Sequence, residues 1–291
     1  MELGNKIKVF STLILLIGIG FSSSAQFIPE DKDALNRIVK NRIKTEYIYR
    51  NGELEYVNQY APNGRKILFE KYGKGGVRLI RYKWELDSLG RRVRGEFFVG
   101  DSLMRRHVYI YDLKGNCVEA LKNETKEGFL ERGYHYSYNK SNQLVLEEHV
   151  LLDGTVDTRF EYKYNTSGKM SEEFIFKGMD TQGKRITFSY YDTGLLKESI
   201  LYEKDGSLTL KYVAEYDVKK NLVKGLSYQF DQMKIRDEKG NLIKGTEYQG
   251  EHIIYNTYLA VYDDKNNLTE TKDLDANGNV KTLRTYRYVY F

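Results

Sequence analysis

The sequence predicts an all-β protein: a single elongated, strongly twisted antiparallel sheet built from about eight tandem β-hairpin repeats of roughly 26 residues. Three observations predict it. A phrase recurs along the chain: an aromatic, an Asp or Asn, two or three variable residues, a Gly or Asn, then an apolar residue. Aromatic and polar residues alternate ahead of each copy. Only two prolines occur, Pro29 and Pro62, and neither interrupts an expected central strand.

The clearest copy is Tyr111-Asp112-Leu113-Lys114-Gly115-Asn116-Cys117-Val118, and the anchor returns at Tyr138-Asn139, Tyr164-Asn165, Tyr191-Asp192, Tyr216-Asp217 and Tyr262-Asp263. The steps between these anchors are 27, 26, 27, 25 and 46 residues. The long step holds a decayed copy, Ile235-Arg236-Asp237-Glu238-Lys239-Gly240-Asn241-Leu242, and earlier copies start at Tyr60 and Leu86. Before the anchors, Tyr134, Tyr136 and Tyr138 alternate with His135 and Ser137, and Phe160, Tyr162 and Tyr164 with Glu161 and Lys163; Tyr286, Tyr288 and Tyr290 repeat the pattern. Period-two alternation predicts a strand with one buried face. The Asp or Asn side chain can bond the backbone two residues on, and the later Gly or Asn tolerates positive φ, so together they close a tight turn. A second strand follows, as in Leu144-Val145-Leu146-Glu147-Glu148 and Leu195-Leu196-Lys197-Glu198. Second turn signals stand at Asp153-Gly154, Gln182-Gly183, Asp205-Gly206 and Asn277-Gly278. Two turns per unit give a meander of about 16 strands, each of about 7 to 9 residues. One hairpin is marginal alone, so neighbours and curvature must bury the aromatic face.

The ends of the chain read differently. Residues 1–25 have the pattern of a signal peptide: Lys6 and Lys8, then a mostly apolar run from Val9 to Phe21, then Ser23 and Ala25 before a cut at Gln26. No later segment approaches the roughly 20 apolar residues of a spanning helix, so no transmembrane segment is expected after signal removal. Residues 26–46 form an N-terminal cap segment. Within it Leu35, Ile38, Val39 and Ile43 fall at helical spacing after Asp31, predicting a short amphipathic helix over the first strand edge. The repeat domain spans residues 47–291.

Charge and cysteine content exclude some classes. Taking Lys6, Lys8 and Glu2 from 46 basic and 41 acidic residues leaves 44 against 40, a net +4 with no basic cluster, so no nucleic-acid partner is expected. Cys117 is the single cysteine, which rules out an internal disulfide and reads as a small half-buried residue.

The anchors resemble the YD repeats of Rhs-type and teneurin-like proteins, whose signature is a Tyr-Asp followed by a Gly-containing turn and a strand. Tyr111-Asp112 with Gly115-Asn116, Tyr216-Asp217 with Asn221-Leu222, and Tyr262-Asp263 with Asn267-Leu268 carry the likeness, over roughly residues 47 to 291. Short phrases such as Arg50-Asn51-Gly52-Glu53-Leu54 are also similar to repeats of the YwqK antitoxin-like type. The resemblance implies a coiled β-hairpin sheet outside a bacterium and no catalysis. The chain shows no Rhs core segment and no C-terminal toxin domain, so encapsulation and toxin delivery are not implied.

Catalytic signatures are absent: no His-Glu-x-x-His helix, Gly-x-Ser-x-Gly elbow, P-loop or dinucleotide-binding glycine triplet. The run Gly73-Lys74-Gly75-Gly76 reads as a turn. His107, His135, His149 and His252 share no ligand spacing, so strand-surface roles are expected over a metal. Asp112, Asp192, Asp217 and Asp263 would stack in one column that could suit Ca²⁺, but Asn139 and Asn165 occupy the same position, which favours turn capping. No catalytic, cofactor-binding or metal-binding residue is assigned, and no cofactor is expected. The 26 Tyr, 13 Phe and single Trp84 suit a core, with an exposed minority available to sugars or proteins. Asp87-Ser88-Leu89 and Asp101-Ser102-Leu103 match a short O-glycosylation phrase of Bacteroidota.

The function expected from the sequence is an exported non-enzymatic repeat scaffold, a binding or structural module for an unidentified protein or glycan in the bacterial cell envelope. Its place is the periplasm, the cell surface or the medium. The alternative is an outer-membrane β-barrel: Tyr286 to Phe291 ends on an aromatic, and about 16 strands would suit a porin-sized ring. Polar residues opposite the tyrosines and a mean hydropathy of −0.61 weigh towards a soluble sheet.

Overall fold

The computed structural model describes residues 32–124, 130–230 and 253–291. The expected signal peptide, Asp31, His252 and the decayed copy at 235–242 lie outside the described residues. A helix, α1 (Lys32–Lys40), leads into β1 (Ile43–Arg50), β2 (Glu53–Tyr60), β3 (Lys66–Tyr72), β4 (Arg78–Leu86), β5 (Arg92–Val99) and β6 (Ser102–Tyr111). Then come β7 (Cys117–Glu124), β8 (Leu130–Tyr138), β9 (Leu144–Val150), β10 (Val156–Tyr164), β11 (Met170–Lys177) and β12 (Lys184–Tyr190). The chain ends with β13 (Leu196–Tyr202), β14 (Leu208–Tyr216), β15 (Leu222–Gln229), β16 (Ile253–Tyr262), β17 (Leu268–Leu274) and β18 (Val280–Tyr290).

Every strand pairs antiparallel with its neighbours in sequence, as the hairpin reading expects. The ends overturn the open, elongated sheet. β1 pairs with β18 over seven positions, from Ile43 opposite Tyr290 to Arg50 opposite Arg284, so the eighteen strands of the described residues form one closed barrel. Closure removes both sheet edges, whose unpaired N–H and C=O groups an open sheet leaves exposed. It also gives the aromatic face an interior without stacking one turn of sheet on another.

The tight turns follow the expected chemistry. In the turn after β6, the Asp112 N–H donates to the Asn116 carbonyl at 2.9 Å and the Gly115 N–H to the Asp112 carbonyl at 3.0 Å. The Asp112 Oδ1 accepts from the Lys114 and Asn116 N–H groups at 2.9 and 2.8 Å. Gly115 takes a φ of 84°, a left-handed value that a β-carbon disfavours. Asn142 and Lys220 hold the equivalent position with φ of 59° and 68°. One anchor is shifted from its expected place. At the β12–β13 turn, Tyr191 occupies the Asp position, with its N–H donating to Leu195 and its carbonyl accepting from Gly194. The true anchor is therefore Tyr190, and the steps from Tyr111 to Tyr216 become 27, 26, 26 and 26 residues.

Anchor tyrosines tie each repeat to the one before. Tyr111, Tyr138, Tyr164, Tyr190 and Tyr262 donate their hydroxyls to the carbonyls of Arg92, Cys117, Leu144, Met170 and Leu222 at 2.7 to 3.1 Å. Each acceptor opens the second strand of the preceding hairpin, where the turn leaves a carbonyl free. Replacing Tyr138 or Tyr164 by Phe keeps the ring and deletes the bond. Each substitution is expected to cost about 1 kcal/mol in urea unfolding. A loss below a few tenths would show the hydroxyls to be satisfied equally well by water.

All anchor turns gather on one rim, and α1 closes on it. Ile38 is buried and packs with Ile43, Tyr60 and Tyr288. The Asn41 amide donates to the Lys265 carbonyl and the Asn267 Oδ1 at 2.9 and 2.7 Å. A β-carbon on Gly64 would stand 2.8 Å from Val39 Cγ2, so the helix rests directly on the β2–β3 turn. The expected helix is present but stops at Lys40; Ile43, expected on its apolar face, opens β1 instead, four residues before the expected start of the strands. The helix seals a rim, because the closed barrel leaves no strand edge to cover.

Candidate functional site

The two faces of the wall differ sharply in chemistry. One carries most of the buried residues, among them Tyr109, Tyr134, Tyr136, Phe160, Ile186, Phe188, Leu201, Leu210 and Tyr212. In a closed sheet side chains converge on the inner face and spread apart on the outer, so this buried face lines the interior. Ring contacts run along it: Tyr56 on Phe69 at 5.7 Å, Tyr82 on Trp84 at 5.6 Å, and Tyr82 on Phe97 at 4.6 Å between centroids.

Three charged clusters interrupt this aromatic lining. At the closing seam, Arg284 of β18 donates to Glu55 of β2 and Asp273 of β17, both at 2.9 Å, spanning four adjacent strands. Near α1, the Glu46 carboxylate accepts from Asn58 and Tyr60 at 2.8 and 2.9 Å. The third lies across β9 to β11. Here His149 Nε2 pairs with Glu147 Oε1 at 2.7 Å, and the Tyr162 hydroxyl donates to Glu147 Oε2 at 3.2 Å. Glu173, 8% exposed, stands opposite Tyr162 in the register. Burial first, and then the Glu147 charge, push the Glu173 carboxyl up to about 7.

The outer wall is laced with ion pairs. Lys163 and Arg185 flank Glu172 at 3.0 and 3.6 Å, Lys224 meets Glu215 at 3.1 Å, and Lys272 meets Glu270 at 2.9 Å. These are cross-strand neighbours or lie two residues apart on one strand, the pattern of a hydrated sheet surface. A groove of about 840 Å³ crosses this wall from β2 to β7 along the row Gln59, Leu68, Lys83, Glu96, Arg106 and Asn123. Within the row Arg106 is paired with Glu96 at 3.5 Å.

Residues singled out from sequence fall in separate places. His107 and His149 are buried on the inner wall, and His135 stands outside near Glu119 at 3.7 Å. Among the described residues no three His, Cys, Asp or Glu side chains converge as a metal ion would require. Asp112, Asp217 and Asp263 each bond their own turn; although desolvation pushes the other way, N–H groups of Asn116 and Lys114 hold the Asp112 carboxyl below its ordinary range. Asp192 lies one residue outside that column, since Tyr191 takes the capping place. Cys117 is fully buried, and burial pushes its thiol up to about 12, which keeps it an unreactive thiol. Trp84 lies in the inner aromatic row with the Arg92 guanidinium 4.7 Å from its ring centre. In the two glycosylation phrases, Asp87 bonds its own turn and Asp101 pairs with Arg78. The inner carboxylates Glu147 and Glu173 were not legible in the sequence as a cluster, because each reads as one polar residue of a second hairpin strand.

No known protein family matches the sequence, and no curated protein matches it. Among solved structures the chain is similar to a porin-like protein from Bacteroides uniformis, 9% identical with a TM-score of 0.45, covering 85% of this chain and 98% of that one. It is also similar to a porin-like protein from Bacteroides vulgatus, 11% identical with a TM-score of 0.29, covering 77% of this chain and 98% of the other. The TcdB2–TccC3 complex is 10% identical with a TM-score of 0.32, covering 79% of this chain and 15% of that one. No family model supports the resemblance to YD or YwqK-type repeats. Likenesses of this size assign no role to any residue.

The open scaffold for a protein or glycan partner rested on an open sheet and falls with it. Closure by β1 and β18 favours the alternative, an outer-membrane β-barrel.

Proposed function

We propose that this chain is an outer-membrane β-barrel protein of the bacterial envelope, seated at the membrane with its wall in water. Closure of the antiparallel sheet by β1 and β18 carries the barrel reading. Closed antiparallel barrels with an even number of strands are the architecture of bacterial outer-membrane proteins. The export-type segment at residues 1–25 supports that compartment. No described helix is long and apolar enough to cross a membrane, which says nothing about crossing with strands.

The chemistry of the outer wall supports a reading of how the barrel meets lipid. Lys or Arg on a lipid face costs about 2–4 kcal/mol each at mid-bilayer. Lys163, Arg185, Lys211, Lys224 and Lys272 all stand on the outer wall with their carboxylate partners. Such a wall is far more stable in water than in hydrocarbon. A second reading, a barrel that crosses the bilayer, is favoured by strands such as the 10-residue β6 and 11-residue β18, long enough for a tilted span.

Fractionation of the producing cell separates the two. Release from outer-membrane vesicles by alkaline carbonate without detergent is the expected result. A requirement for detergent, together with heat-modifiable migration on gels, would establish the crossing barrel. Recovery only in the cytosol would remove both.

A further inference from the structure

The inner cluster on β9 to β11 holds two buried carboxylates and one imidazole. Glu147 uses both its oxygens, one on His149 and one on Tyr162. Glu173, on β11, sits across from Tyr162 on β10 and from Ile186 on β12. Two lysines near the ends of these strands are engaged elsewhere: Lys177 donates to Thr158 at 2.8 Å, and Lys184 to Glu203 at 2.8 Å. Tyr164 bonds the Leu144 carbonyl. A proton on Glu173 keeps that buried carboxyl neutral, and its loss puts a second negative charge in the buried wall, on the far side of β10 from Glu147.

The position of Glu173 gives this charge a mechanical target. β11 and β12 pair at only four positions, Glu172 to Ile175 against Thr187 to Lys184, the shortest ladder in the barrel. Neighbouring ladders pair at more, seven between β10 and β11 and six between β12 and β13. Glu173 belongs to that short ladder.

We propose that the Glu147–His149–Tyr162–Glu173 cluster is a pH switch that keeps the β11–β12 seam shut while Glu173 is protonated and loosens it when the proton leaves. The sign follows from the carboxyl's position about 7 in the fold against its ordinary 4.5. The folded state holds a proton the unfolded chain has lost, so the stabilisation is complete below about 4.5 and is lost as pH rises through about 7. A gap of this size corresponds to a change on the order of a hundredfold in the opening equilibrium.

Hydrogen exchange of the whole protein at pH 5 and pH 8, corrected for the intrinsic rate, tests the switch. The wild type should lose on the order of a hundredfold protection, concentrated in β11 and β12. Glu173→Gln should abolish the pH effect, and Glu147→Gln should shift its midpoint downward, because the repelling charge is gone. pH-independent protection in the wild type, or an undiminished response in Glu173→Gln, would overturn the proposal. Should Glu173→Gln fail to fold, an unshifted midpoint in Glu147→Gln would do the same. Loosening spread evenly over all strands would also defeat it, since the seam would then have no special part.

Discussion

A chain shortened to end at Asn279, and so lacking β18, is expected to lose cooperative folding altogether. β18 pairs at seven positions with β1 and at five with β17. It also brings Tyr288 to the Ile38, Ile43 and Tyr60 cluster under α1, and Tyr286 to the Ile48, Tyr56 and Phe69 cluster. Its removal exposes one edge on β1 and another on β17 and opens the aromatic interior to water. In an open stack of repeats, by contrast, deleting the last strand removes one neighbour interface and lowers stability in proportion. Thermal unfolding followed by near-ultraviolet circular dichroism separates the cases. A shortened chain with a sharp transition at a modestly lower temperature would show that the seam contributes no more than any other pairing.

Arg284→Met is expected to destabilise the barrel by about 3–5 kcal/mol in urea unfolding, the cost of removing one partner from a largely buried ion pair. The Arg284 side chain is 18% exposed and Glu55 is 10% exposed. Its planar fork meets two carboxylates on different strands at once, and the compact ammonium of Arg284→Lys should restore only part of the loss. With Arg284 gone, Glu55 retains Arg50 at 3.6 Å, while Asp273 loses its guanidinium partner. Adding Asp273→Asn to Arg284→Met should therefore recover stability. A loss under about 1 kcal/mol for Arg284→Met would place the contact among ordinary surface pairs.

Much of the hairpin architecture was legible because each repeat carries its own turn chemistry. The Asp-to-backbone bonds at Asp112, Asp217 and Asp263, and the left-handed φ of Gly115, are local and follow from residue type. The aromatic face was legible for the same reason: Tyr134 and Tyr136 are buried while His135 and Ser137 are exposed. Closure was not. It depends on how strand number, tilt and stagger combine around a ring, and no single repeat records them. Its contacts, such as Ile48 with Tyr286, join residues at opposite ends of the sequence. β1 also reverses the local rule, since Glu46 and Ile48 are buried while Tyr47 and Tyr49 are only partly so. A tyrosine row therefore marks the inner wall only where the register allows it. The shift from Tyr191 to Tyr190 has a similar cause, because two adjacent tyrosines satisfy the same phrase and backbone pairing chooses between them. The Glu147 and Glu173 cluster escaped notice because its members come from different hairpins and meet only across strands.

Joining of the first and last strands also constrains how such a molecule can change in length through duplication. Each 26-residue unit adds two strands, so gain or loss of a whole unit preserves an even count and lets the terminal strands still meet head to tail. Half a unit would bring them together running the same way. Copy number thus sets girth in steps of two, and every step alters how far the tyrosine rings must reach to fill the hollow they surround.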